Sequence, residues 1–249
     1  MKPSRLFLAL GILAAWPTLA DAAGPPRATI DDAIDVLDDL AGTPEKRIPP
    51  ALLHDAAAVI IAPDVVKGGF IVAARHGHGV LLVRQKGGWS DPVFVTVTGG
   101  GVGWQAGVQA TDLFLVIRNG RSLDRILRGA GKLTLGADAA VTAGPIGRDV
   151  SAATDAQLKA EILSYSRSRG AFAGISLEGD TLLIDRAAND RFYGARKVGV
   201  ADILGGKVDP PKGAATLRAR LGDWSADKEE ALPAPRPAPP PVVDPPKKG

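Results

Sequence analysis

The chain of 249 residues contains no cysteine. That absence excludes a disulfide framework, a thiol nucleophile, a cysteine-ligated metal and a lipid attached to an N-terminal cysteine, so the folded protein rests on its core. Histidine is scarce: His54, His76 and His78 are the three in the chain. No further ligand at matching spacing accompanies His76 and His78, whereas a closed metal site needs about four. The expectation is therefore no metal and no cofactor. A surplus of one charge is also missing, with 30 Lys and Arg against 27 Asp and Glu. Such a balance argues against nucleic-acid binding, which needs a concentrated basic footprint.

A long membrane span is lacking too. The start MKPSRLFLALGILAAWPTLADAAG sets Lys2 and Arg5 ahead of an apolar run, Leu6 to Leu19, that Pro17 interrupts and that falls short of the ~20 residues a bilayer needs. Small residues follow at Ala20 and Ala22, so residues 1–22 read as a signal peptide cleaved near Ala22, and the mature chain is expected in the periplasm or secreted. At the other end composition changes at Ser225. Residues 225–249, dominated by proline from Leu232 on, read as solvated polyproline II or coil, a spacer or a ligand for an aromatic groove. Between them, residues 28–224 hold the folded domain, and 45% of the chain is hydrophobic, as in a globular protein.

What is present is glycine-punctuated β sequence. From Lys67 to Arg121 four apolar segments, Phe70–Arg75, Gly79–Arg84, Val93–Thr98 and Leu113–Arg118, are bounded by Gly, Asp, Asn or Pro and read as strands of an antiparallel meander. With Gly77 and His78 as the centre of a type II′ hairpin, Arg75 faces Val80, Ala73 faces Leu82 and Ile71 faces Arg84, so both arginines lie on one face. A sheet that is apolar on both faces must be covered twice or bind something apolar.

Around this stretch, Thr29–Ala41 has helical apolar spacing, with Thr29 as N-cap and only acidic charges, Asp31, Asp32, Asp35, Asp38 and Asp39, so an anionic bilayer would repel it. Pro50 opens a short helix, and Ala56–Ala62 reads as a buried strand ended by Pro63. Later come a helical turn at Ser122–Leu127, an alternating strand pair within Lys132–Ala143 and a hairpin built on SYSRSRG and Ala171–Leu177. Thr181–Ile184 is strand-like, Asp185 caps a helix ending at Gly194, and short helices follow at Val200–Leu204 and Ala214–Leu221, the last stopped by Gly222. The fold class is α+β: a curved antiparallel sheet or partial barrel with short helices at its margins.

The succession IPPALLHDAAAVIIAPDVVKGGFIVAARHGHGVLLVR, then GGWSDPVFVTVTGGGVGWQAGVQATDL, SYSRSRGAFAGISLEG and NDRFYG, resembles the SYLF domain, the Ysc84-type lipid-binding domain shared by bacterial secreted proteins and some eukaryotic membrane and actin regulators. The likeness runs from about Ile30 to Leu221, several long motifs in order, and points to a bacterial secreted member. It implies a non-enzymatic domain that binds membrane lipids, in eukaryotes often phosphoinositides, with some members also binding actin. An envelope protein whose proline-rich tail docks a partner is the alternative.

Other chemistry reads weakly. Gly101, Gly103 and Ala106 spell G-x-G-x-x-A after a strand, but the next strand follows too soon for a crossover helix. Ser90 and Asp91 in GGWSDP lack a nucleophile elbow and suit a turn. Trp89 and Trp104 are either core bodies or interfacial anchors. With them, Lys67, Arg75, Arg84, Lys86, Arg118 and Arg121 on or beside the meander form the expected lipid-binding set, at roughly 1 kcal/mol per cation near an anionic surface.

Overall fold

The computed structural model describes residues 25–41, 48–69, 72–102, 107–128, 131–146, 157, 159–168 and 171–226. The leader, the proline-rich tail, Phe70, Ile71, Gly103, Trp104 and Ala106 lie outside them. Helix α1 (Pro26–Ala41) and α2 (Pro50–His54) precede five strands, β1 (Ala58–Gly69), β2 (Val72–Gln85), β3 (Gly88–Trp89), β4 (Val93–Val102) and β5 (Gly107–Ile117). Helix α3 (Gly120–Arg128) leads to β6 (Lys132–Thr134), β7 (Val141–Ala143), β8 (Ile162–Ser168), β9 (Ala171–Gly174) and β10 (Thr181–Ile184). Three helices close the described chain, α4 (Arg186–Tyr193), α5 (Val200–Leu204) and α6 (Ala214–Ala226).

The strands form one strongly curled sheet in the order β6-β10-β4-β2-β1-β5-β8-β7, with β3 beside β2 and β9 beside β8. Every pair is antiparallel except β7 with β8. The sheet's two ends, β6 and β7, are consecutive in sequence. A bridge between Leu135 and Ala139 and the bond from Leu135 N–H to Asp180 O tie the segment joining them, so the ends are drawn together into a partial barrel. One buried cluster gathers residues from all eight strands of this path, among them Leu182, Val95, Leu81, Ile60, Leu115 and Val141, as the concave side must. Leu123 and Ile126 of α3 and Ile203 of α5 belong to it and plug the barrel end at which β5 finishes.

The convex side carries the second cluster, in which Ile61, Val80, Leu82, Phe94 and Phe114 meet α1, α2, α4 and α6. The sheet is thus covered on both faces. Phe114 packs edge-on to Trp224 of α6 at 5.8 Å, and Phe94 against Phe192 of α4 at 5.0 Å. Each such buried ring contributes roughly 1.5–3 kcal/mol.

Several expectations are corrected. Residues 77 and 78 are no hairpin turn: β2 is one strand from Val72 to Gln85, and β1, not a neighbouring hairpin arm, lies between β2 and β5. Pro63 does not end β1. Pro63 and Asp64 together oppose Asp112 alone, since Ala62 faces Leu113 and Val65 faces Thr111, and Asp64 has φ +47°. This is a β-bulge, which inside a central strand tolerates proline's missing N–H and an odd backbone angle. The bulge explains the glycines as well. A Cβ at Gly77 would lie 2.6 Å from Val65 Cγ2, and one at Gly79 would lie 2.5 Å from the Ile61 carbonyl oxygen. Thr29 sits inside α1, which begins at Pro26, where the preset φ of proline opens a helix at no cost in donors. Residues within Lys132–Ala143 do form strands, but β6 pairs with β10 and β7 with β8 rather than with each other. Helix α6 runs through Gly222 to Ala226 because Trp224 and Ser225 are buried. The hairpin of β8 and β9, the strand β10, the Asp185 cap of α4 and the helix at Val200–Leu204 are as expected.

Candidate functional site

The four central strands outrun their cover. β10 leaves β4 after Thr98, and β8 joins β5 only from Asp112. Beyond those points Gly99–Val102, Val72–Arg75, Val66–Gly69 and Gly107–Thr111 continue as a four-stranded flap at the barrel end opposite α3 and α5. Because side chains alternate, its convex face is formed by Val66, Gly68, Ala74, Gly100, Val108 and Ala110, none of them charged. Val66 is 44% and Val108 81% exposed. These are the exposed large hydrophobics among the described residues.

The concave face carries the polar row Gln109, Lys67, Arg75 and Gly99, in register across all four strands. Arg75 Nη1 donates to Asp180 Oδ2, and Gly99 leaves room for that carboxylate. Lys67, Ala73, Ala74, Arg75, Gly100 and Asp180 line a small open pocket here. Burial pushes the Asp180 carboxyl above its ordinary value, outweighing the pull of Arg75 and Lys67. Arg75 and Asp180 neutralise each other, which leaves the exposed Lys67 ammonium as the net charge of the row.

A polar collar marks where the helix cover begins. Asp112 Oδ1 accepts the N–H of Asp64 at 2.9 Å and so holds the bulge. Arg167 bridges Asp112, at 2.6 Å, to Asp39 of α1. Burial, then Asp64, Asp35 and Asp31, raise Asp32 above the usual carboxylate range. On the β4 side, His76 and His78 share the convex face two residues apart, their rings edge-on at 5.1 Å, and His78 Nδ1 lies 3.5 Å from the α4 cap Asp185. The turn expected at Gly77 and His78 is absent, so both rings stand on one strand. Among the described residues no group of three or more His, Cys, Asp or Glu is placed to hold a metal ion.

The other expected site residues lie elsewhere. Arg84 is nine positions from Arg75 in the same strand, which puts it on the opposite face and roughly 30 Å away, not on a shared face. Its guanidinium stacks 3.9 Å over the Trp89 ring and donates to the Leu53 carbonyl and to Ser225 Oγ. Trp89 is buried, with Nε1 donating to Ser225 Oγ at 3.1 Å. Lys86 is exposed in the β2–β3 turn. Arg118 donates to the Gln157 and Ala160 carbonyls, and Arg121 is exposed on α3. Ser90 Oγ is committed to Val83 N–H and Asp91 O, and Asp91 to Arg218 at 3.1 Å. Only four positions separate β4 from β5, too few for a crossover helix. Val66, Val108 and Asp180 were not singled out by sequence. Val66 and Val108 needed the true strand lengths, and Asp180 stands 105 residues from Arg75.

Residues 98–223 match the sequence profile described as "Ysc84: Las17-binding protein actin regulator". SH3 domain-containing YSC84-like protein 1 of Xenopus laevis is 37% identical over 187 residues, covering 75% of this chain and 55% of the relative. The Homo sapiens protein of that name is 35% identical over 75% of this chain and 54% of its own length. LAS seventeen-binding protein 3 of Saccharomyces cerevisiae is 38% identical over 66% of this chain and 36% of its own. The chain thus spans about half the length, or less, of these curated relatives. No solved structure matches. With the profile match over residues 98–223 spanning half of its length, the chain belongs to the Ysc84 family, also called the SYLF domain family.

Proposed function

We propose that the chain is a non-enzymatic module that binds anionic phospholipid surfaces through the flap. The observation that carries this reading is an uncharged, exposed sheet face beyond the helix cover, with the Lys67 ammonium on its reverse. Exposed apolar side chains at the end of a projecting element suit the acyl boundary, and a nearby ammonium adds roughly 1 kcal/mol at an anionic surface. The acidic helix α1 and the Asp32, Asp64 and Asp112 group at the base of the flap repel headgroups and limit the depth of contact. We place this activity after export, with a mature N-terminus at Ala23 or Gly24, which the intact mass of the exported protein checks.

Flotation of the full chain with vesicles tests the lipid reading. Binding to phosphatidylglycerol vesicles that weakens as salt is raised, with little binding to pure phosphatidylcholine, supports it; no binding to either overturns it. A second reading, a module for protein partners, is favoured by the family description, which names Las17 binding and actin regulation. Co-sedimentation with filamentous actin in the absence of lipid would support that one. The proline-rich tail would then be a separate docking segment, and its removal should leave vesicle binding unchanged.

A further inference from the structure

His76 and His78 flank Gly77 in the middle of β2, and the sheet fixes both backbones. Side chains two apart in a strand point the same way, here to the convex side, and the ladder to β4 sets His76 opposite Thr98 and His78 opposite Thr96. The ring centres stand 5.1 Å apart and edge-on. At that separation one nitrogen of each ring can reach a shared ion at about 2.0–2.1 Å, the length of a metal–imidazole bond. The convex positions in register with them are Thr96, Thr98 and Val66, so no cationic side chain opposes the pair. His76 is exposed and the His78 side chain is 23% exposed, which leaves the outward side to solvent.

The pair also has a carboxylate behind it. Asp185 Oδ2 lies 3.5 Å from His78 Nδ1, while Oδ1 of the same carboxylate accepts the Ala188 N–H at 2.8 Å and is thereby fixed to the α4 cap. A carboxylate beside one ring nitrogen keeps the proton there and leaves the lone pair on the other, which is the usual support of a metal-bound histidine. His78 in turn is the first cause holding the Asp185 carboxyl below its ordinary value. Burial, then His78, favours the neutral form of His76, the form that ligates.

We propose that His76 and His78 form an open, two-imidazole site for a divalent transition-metal ion, with Asp185 as the positioning residue behind His78 and water on the remaining coordination positions. Two nitrogen donors completed by solvent favour copper(II) over zinc, whereas magnesium and calcium seek oxygen and find no donor set here. Among the described residues no third His, Cys, Asp or Glu is placed to join the pair, so the ion is exchangeable and not a support of the fold. The proposal depends on neither the lipid nor the protein-partner reading.

The absence of cysteine and the scarcity of histidine make the test direct. In calorimetric titration of the full chain with copper(II) near neutral pH, the native protein and the control His54→Asn should show the same binding step. His76→Asn and His78→Asn should each weaken that step at least about tenfold, since losing a ligand costs no less than losing the group that supports it, and the double variant should abolish it. Asp185→Asn keeps an oxygen for the helix cap but loses the charge behind His78, and should weaken copper binding about tenfold. Zinc should compete for the site and magnesium should not. Electron paramagnetic resonance of the copper complex should show nitrogen ligation that the double variant lacks, and circular dichroism checks that each variant is folded. No binding by the native chain, or equal affinity in the folded double variant, overturns the proposal. A binding step lost in His54→Asn instead places the ion elsewhere and overturns it as well, and unchanged affinity in Asp185→Asn overturns the role given to Asp185.

Discussion

Arg75 and Arg84 share a residue type and a strand, and the fold uses them differently. Arg75 neutralises a buried carboxylate where the flap begins; Arg84 holds the carbonyl end of α2 and the last turn of α6 against Trp89. Reversing Arg84 would therefore test the core and not lipid contact. Arg84→Ala should cost about 2 kcal/mol in urea unfolding, the worth of charged hydrogen bonds whose acceptors are left behind, and should leave vesicle binding by the folded fraction unchanged. His76 makes a pH prediction. Burial first and His78 second hold its imidazole below the ordinary value of 6.5. Between that lowered value and 6.5 the unfolded chain binds more protons than the folded one, so stability rises with pH through this window and levels off above 6.5. Asp91, Asp112 and Asp180 are raised by burial and contribute the opposite slope, starting from 3.8. Urea midpoints for the native chain minus those for His76→Asn, measured across the window, isolate the histidine. A flat difference would contradict its placement.

At the scale of elements, local signals were legible where the chain solves a local problem. Asp185 accepts the Ala188 N–H at 2.8 Å and caps α4 as its position in the sequence suggested, and the β8–β9 hairpin follows from its own turn. Legibility failed where a distant strand dictated the residue. Gly77 read as the centre of a turn and Gly79 as the start of a strand, yet both are small because the β1 bulge presses on the concave face of β2, and that bulge is itself hidden behind a proline that reads as a stop. Misplacing that one turn put Arg75 and Arg84 on one face and concealed the flap. Gly79→Ala should thus destabilise by roughly 2–3 kcal/mol through overpacking, which a true turn glycine with negative φ would not show. Helix α6 gives a paired truncation. Ending the chain after Gly222 removes buried Trp224 and Ser225 and should cost about 3–5 kcal/mol. Ending it after Asp227 should move Tm by no more than about 2 °C, as expected for a tail that buries no apolar surface. Equal effects would place the fold's edge elsewhere.

For the molecule as a whole, the two-sided cover answers the question its sequence poses. A sheet apolar on both faces is filled on the concave side by its own curl and on the convex side by four helices, except over the flap. Fold class and family were readable from composition and motif order, because alternation and glycine spacing persist through the strands. The site was not, because its exposed valines owe their setting to where β8, β10 and the helices stop. The measurement that bears most directly on the lipid reading is flotation with phosphatidylglycerol vesicles of the double variant Val66→Asp, Lys67→Glu. Both side chains are exposed, so the fold should survive. Losing an ammonium worth roughly 1 kcal/mol and adding two carboxylates should weaken binding at least about tenfold, which corresponds to about 1.4 kcal/mol. Undiminished binding by the folded double variant would contradict the assignment of the flap as the membrane-contacting surface.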